Sequence, residues 1–204
     1  MKSFKNKNVN IGAGLTFIPE FINLDVSSQA EVVIDISKAP LPFEDNSVDI
    51  VFSHHTLEHV PNYLFALSEI HRVLKHGGLF LVGLPYVTLT EFNLVNPYHL
   101  HHFNEYSFDF FDPKKLKGSA VESNQILFIK VFHRFHYLKG FINLPKFMKR
   151  WCRRHLFNVV KKIDYGLVAV KTNKSIDNLP GQDELIKKFD TCLNSRVKYK
   201  NKPE

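Results

Sequence analysis

The feature that most narrows the fold is the alternation of patterns between residues 48 and 85. Val48–Phe52 is a short, β-branched apolar run, and Tyr63, Leu67, Ile70 and Leu74 then recur with the spacing of one helix face. Gly77-Gly78 supplies a helix stop, and Leu79–Leu84 is a second apolar run closed by Pro85. Strand, helix, strand in this order is the grammar of a parallel sheet, whose strands are continuously apolar because both faces are covered. Upstream, Val9–Ile11 leads into Gly12-Ala13-Gly14, Phe21–Leu24 ends at Asp25, and Glu31–Ile34 ends at Asp35. The expectation is an α/β fold with a doubly wound, mostly parallel sheet.

Composition removes other classes. The chain has 204 residues, 44% hydrophobic and 13% aromatic, with nine Gly and ten Pro, which excludes a fibrous or disordered chain. Its apolar runs fall far short of the roughly 18 residues of a spanning helix. The basic start from Met1 to Lys7 leads into no apolar stretch, so no secretory signal is expected. Two cysteines, Cys152 and Cys192, make no disulfide framework, and a reduced, cytoplasmic chain is the simpler expectation. The net charge of +7 is local. Ten of the 27 basic residues lie between Glu122 and Asp164, where no acidic residue occurs.

The second half is less regular. Tyr86–Asn104 has no clean period and reads as a long loop, Glu105–Leu116 as a short helix, Ile126–Phe132 and Gly166–Lys171 as late strands. Between those strands, Phe147, Met148, Trp151, Cys152, His155, Leu156, Val159, Val160 and Ile163 mark one face of a single helix, with the cations opposite. Such a helix either packs its apolar stripe on the domain with its basic face in water, or lies in a membrane surface. Peripheral membrane contact through residues 145–163 is the functional expectation, and nucleic acid is not expected. Asp183–Leu193 reads as a last helix and Lys198–Glu204 as a frayed tail. The division is a domain over 1–173, with an inserted basic segment at 140–163, and a C-terminal helix and tail over 174–204.

Three strand ends carry the chemistry. A Gly pair after the first strand lets backbone approach a ligand, a carboxylate at the second can accept both hydroxyls of a ribose, and Asp35 closes the third. Each has a plainer reading: a tight turn for the glycines, a cap for Asp25 and Asp35. Together they describe a nucleoside-shaped site at the carboxyl ends of parallel strands. A nicotinamide fingerprint needs a third glycine and a longer spacing to the acidic residue, whereas position 17 is Phe and Asp25 follows Gly14 by only eleven. Leu15–Glu20 is also too short for a full crossover helix.

Asn10-Ile-Gly-Ala-Gly, Asp25, Asp35, the run from Leu41 to Ser53, Leu57-Glu-His-Val, and Glu69-Ile-His-Arg-Val-Leu-Lys-His-Gly-Gly resemble a class I S-adenosylmethionine-dependent methyltransferase. The similarity is to the type 11 methyltransferase domain, in a short bacterial branch with a truncated first crossover, and covers about Val9–Pro85. The resemblance implies a Rossmann-like fold and S-adenosyl-L-methionine as cofactor. It implies that Gly12, Ala13 and Gly14 line the methionine and ribose part, that Asp25 with Val26 holds the ribose, that Asp35 and Ile36 meet the adenine, and that Ser53 and His54 flank the methionine. Two positions depart from the pattern: Asn10 replaces an acidic residue and Thr16 a common glycine.

A sulfonium methyl is already activated, so the protein has only to align the nucleophile and take a proton. His54, His55 and His59 follow the fourth strand, and His99, His101 and His102 lie in the loop after the fifth. His55 and His101 are the candidate catalytic bases. His99, His101 and His102 could join His54 or His55 around an ion. With no Cys pair, no His-Glu-x-x-His and no acidic residue at ligand spacing, no metal is expected. The expected activity is methyl transfer to oxygen or nitrogen of a small-molecule or glycan acceptor, with a sugar of envelope polysaccharide assembly implied by the resemblance alone. The rivals are a degenerate, non-catalytic binding module, a nucleic-acid methyltransferase, and a nucleotide-dependent oxidoreductase.

Overall fold

The computed structural model describes residues 8–112, 115, 126–171, 176 and 178–199. The strands are β1 (Asn8–Ile11), β2 (Thr16–Phe17), β3 (Ile22–Asp25), β4 (Val32–Val33), β5 (Val48–His54), β6 (Leu74–Pro85), β7 (Leu127–Tyr137), β8 (Val160–Val170) and β9 (Val197–Lys198). The helices are α1 (Tyr63–Val73), α2 (Thr90–Asn93), α3 (Lys146–His155) and α4 (Gln182–Asn194). Seven strands form one sheet in the order β4-β3-β1-β5-β6-β8-β7, parallel from β4 to β6, with β8 antiparallel to both β6 and β7. This is the expected doubly wound, mostly parallel sheet.

One face packs under α1, where Val9, Ile11, Leu24, Val51, Leu67 and Ile70 are buried. The other packs under α4 through Phe52, Leu81, Phe132, Leu185 and Phe189. Asn62 caps α1, its Oδ1 accepting from Phe65 N. The helix stops at Val73, ahead of the glycines, because Leu74 is already extended and pairs with Val48 in the sheet. Gly77, at φ +79°, then bends the chain within β6 rather than ending the helix.

Where the first crossover helix is missing, the chain substitutes two devices. Buried Asn10 donates to Asn23 Oδ1 (2.9 Å), and that same oxygen accepts from Ile18 N (2.8 Å), pinning the short connection. β2 pairs with β9 from the other end of the chain, Thr16 opposite Lys198 and Phe17 opposite Val197. The tail expected from Lys198 is therefore ordered sheet at its start; residues 200–204 lie outside the described residues, as do 1–7.

Several elements differ from the sequence expectation. The third strand is reduced to Val32–Val33, and the late strands are longer, ending at Tyr137 and beginning at Val160. Glu105–Leu116 contains only a 3-10 turn, Asp109–Phe111, among its described residues. The single helix over residues 147–163 is the largest correction. It ends at His155; Asn158 turns the chain at φ +57°; Val160 and Ile163 are buried strand residues of β8. A run of β-branched residues at 159, 160 and 163 suits a strand buried on both faces as well as a helix stripe.

The orientation of α3 also reverses the packed-helix reading. Two of its cations face the domain while Lys146, Arg150 and Arg154 are exposed: Arg153 stacks 4.1 Å over Phe135 and pairs with Glu105 (3.1 Å), and Lys149 lies 5.3 Å over Tyr137. Phe147 (73%), Trp151 (56%) and Phe157 (67%), just beyond the helix, are exposed. Among the described residues no helix is long and apolar enough to cross a membrane.

Candidate functional site

Backbone geometry at the end of β1 comes first. Gly12 N and Ala13 N both donate to Leu24 O (2.9 and 3.0 Å), closing the loop onto β3. Gly12 sits at φ +76°, and a Cβ there would lie 1.9 Å from Thr56 Oγ1, so no other residue fits. Asp25 accepts from Gly14 N (2.8 Å) and Ser27 N (2.9 Å). Asp35 accepts from Ser37 N (3.0 Å) and Oγ (2.6 Å) and pairs with Lys38 (2.8 Å). Those bonds, Lys38's foremost, hold its carboxyl down at about 2. Both aspartates thus cap their own turns, as the plainer reading expects, and also reach the rim of a cavity. That cavity, of about 250 Å³, is floored by Ile11, Leu24, Ile34 and Ile36 and rimmed by Gly12, Asp25, Val26, Asp35, Thr56 and His59. Apolar walls suit a base. Asp25 keeps lone pairs for a diol, since two backbone N–H groups use only part of its acceptor capacity.

Not every expected residue lines it. Ala13 is fully buried under the loop. Ser53 is fully buried between Ile11 and Val82, its Oγ without a partner among the described residues. His54 points to the α4 side, stacked parallel to Phe52.

A second cavity, about 360 Å³, opens beside the first and shares His59 with it. His55, Glu58, Pro85, Leu89, Phe92, His99 and Lys161 line it. His55 is held at φ +56°, its Nδ1 3.2 Å from Glu58 Oε1. His101 is absent from this lining: its Nε2 bonds Val60 O (2.9 Å) and its ring packs on Tyr63, which ties the loop to the turn beneath it. His102 is exposed. Of the two candidate bases, the structure brings only His55 to the cavity.

On the α4 side lies a network that sequence reasoning missed. Fully buried Asp164 pairs with Arg134 (2.9 Å), His136 (2.5 Å) and Lys162 (3.4 Å), and Arg134 forks onto Asp190. His54 lies between Lys162 Nζ (3.3 Å) and Arg196 Nη1 (3.5 Å); burial, then the neighbouring His55 and cations, push it down to about 3. Arg196 donates to Thr16 Oγ1 (3.0 Å), which donates to Ala13 O (3.1 Å). No carboxylate among the described residues pairs with Arg196. Its only sequence signal is an isolated basic residue far from the glycine loop, which nothing local connects to it.

Residues 10–82 match the family model described as Methyltransferase domain. Over that segment the chain is similar to a methyltransferase domain. The cofactor of such domains is S-adenosylmethionine, and the cavity at the ends of β1, β3 and β4 fits its nucleoside. Within the domain, 87 residues are 34% identical to the sterol 4-C-methyltransferase strm-1 of Caenorhabditis elegans, covering 41% of this chain and 25% of that protein. A 39-residue stretch is 59% identical to the demethylmenaquinone methyltransferase of Staphylococcus epidermidis, covering 19% and 16%. The chain therefore spans a quarter or less of these relatives. Among solved structures, the methyltransferase complexed with the Trm112 methyltransferase activator of Haloferax volcanii shares the fold at TM-score 0.56 and 17% identity, over 83% of this chain and 84% of that one.

Proposed function

We propose that the chain transfers the methyl of S-adenosylmethionine to an oxygen or nitrogen of an acceptor reached at a membrane surface. The observation that carries this reading is the pair of adjoining cavities that share His59, one shaped for a nucleoside and one lined by histidines. Asp25 accepts the ribose hydroxyls, Ile34 and Ile36 flank the adenine, and the Gly12–Gly14 backbone passes under the ribose. Arg196, which no carboxylate among the described residues pairs with and which joins the glycine loop through Thr16, is the group we assign to the amino-acid carboxylate. When bound, the sulfonium supplies an activated methyl group. His55 donates through Nδ1 to Glu58, which leaves Nε2 with its lone pair to take the acceptor's proton. Pro85, Leu89 and Phe92 give the acceptor cavity apolar walls, and the relatives named above act on a sterol and on demethylmenaquinone, so an apolar or lipid-linked acceptor is favoured over a free sugar. Neither observation singles out the envelope sugar implied by the resemblance. The outward aromatic side of α3 supports delivery from a membrane.

The test is incubation with methyl-labelled S-adenosylmethionine and a panel of sterol, quinone-precursor and lipid-linked sugar acceptors in vesicles. Label in the organic phase, lost in Asp25→Ala, is the expected result. Label no higher than with boiled protein across the panel contradicts the reading.

A further inference from the structure

The sequence offers no metal motif, yet the fold assembles three donors that the sequence separates. Glu58, His59 and His99 each present one ligand atom within 4.8 Å of the others. Both rings are held in the tautomer a ligand needs. His59 Nδ1 lies 3.1 Å from Tyr98 O, a group that only accepts, so Nδ1 carries the proton and Nε2 the lone pair. His99 Nδ1 lies 3.1 Å from Asn93 Oδ1, whose amide orientation is set by its own bond to Tyr86 O (2.6 Å), with the same consequence. This is the outer-shell arrangement that orients imidazoles on an ion.

The carboxylate gives the independent sign. Glu58 is fully buried, Oε1 is met by His55, and Oε2 has no partner among the described residues. A buried carboxylate oxygen left bare is costly, and a cation at that position removes the cost. The loop is also stitched in place: Glu58 O accepts from Leu100 N (2.8 Å) and His101 N (3.2 Å), so the backbone carrying His99 is fixed against the turn carrying Glu58 and His59.

We propose that Glu58, His59 and His99 bind a divalent transition ion, of the zinc, cobalt or manganese kind, with open positions facing the acceptor cavity. Two imidazole nitrogens and one carboxylate oxygen form a donor set for such ions rather than for magnesium or calcium, and three protein ligands leave room for a substrate atom. The cavity beyond is walled by Pro85, Leu89 and Phe92 with Lys161 at its edge. On the methyl-transfer reading proposed above, the ion takes an acceptor hydroxyl and makes it more acidic. The proton passes to His55 Nε2, the oxygen forms its bond to the methyl carbon, and the sulfur–methyl bond breaks with its electron pair left on sulfur.

The experiment titrates cobalt(II) into the chelator-treated chain, followed by visible absorption, for the parent and for His59→Ala, His99→Ala, Asn93→Ala and the exposed control His102→Ala. S-adenosylhomocysteine is titrated separately into each, and a thermal melt confirms folding. One equivalent of cobalt bound by the parent and by His102→Ala, with affinity reduced more than tenfold in the two ligand variants and about tenfold in Asn93→Ala, is the expected result. Absence of stoichiometric uptake by the folded parent overturns the proposal, as does uptake that neither ligand variant alters. Failure to bind S-adenosylhomocysteine alongside specific cobalt uptake sinks the methyl-transfer reading and leaves the metal site standing.

Discussion

The two faces of the sheet treat the same strand ends in opposite ways. Under α1 the carboxyl ends open into two cavities edged by Asp25, Glu58, His59 and His99, and Glu58 Oε2 has no partner among the described residues. Under α4 the ends are closed by internal pairing, with Asp164 enclosed by Arg134, His136 and Lys162. The divide runs through β5, where fully buried Ser53 lies on the open side and His54 on the closed one. The closed side is also where the first crossover helix is missing and the C-terminal α4 and β9 take its place. On the proposed reading, stability and recognition fall to different faces. Arg196 joins the closed face to the glycine loop through Thr16 and Ala13 O.

The largest effect expected from breaking this division is on stability. Asp164→Ala leaves Lys162 and His136 without their buried carboxylate and Arg134 with Asp190 alone, and should cost about 3–5 kcal/mol in denaturant unfolding. A loss under about 1 kcal/mol would mean that the network is ornamental. Asp25→Ala should do the reverse, lowering S-adenosylhomocysteine affinity about 30-fold through two lost charge-assisted bonds while costing about 1 kcal/mol of stability. An equal loss of both would erase the contrast.

Between about pH 6.5 and 5, acid probes the closed face through His54. His54 titrates at about 3 in the folded chain and near 6.5 when unfolded, so the unfolded chain takes up its proton first as pH falls. Its contribution is complete above about 6.5 and is lost below it, amounting to about 2 kcal/mol between pH 6.5 and 5. His54→Phe should reduce the slope of that part of the stability–pH curve, to which His71 and His133, both also pushed down by desolvation, contribute, and an unchanged slope would place the titration elsewhere. The smallest effect is at the edge: Trp151→Glu should cut sedimentation with anionic vesicles about tenfold without moving the melting temperature.

Legibility in the sequence follows the range of the contacts. Strand ends with Gly12, Gly14, Asp25 and Asp35 are local patterns, and each could be placed on its strand because the burial of parallel strands writes itself into consecutive residues. The histidine cavity was half legible: His55, His59 and His99 could be named, but Glu58 could not be separated from an ordinary surface glutamate, since its burial depends on the returning loop at Leu100 and His101. The β2–β9 pair and the Arg196–Thr16 contact join residues 180 positions apart and leave no periodic trace. The helix expected through Ile163 failed for another reason. An apolar spacing shared by a helix stripe and a buried strand was decided by pairing with β6 and β7, which no single segment encodes.

The cavity at the ends of β1, β3 and β4 is the central feature of the molecule, and calorimetric titration with S-adenosylhomocysteine tests its role most directly. The expected result is saturable one-to-one binding, weakened by Asp25→Ala and by Arg196→Met, with 5′-methylthioadenosine, which lacks the carboxylate, insensitive to the second substitution. No heat of binding from the folded chain at millimolar ligand would contradict it.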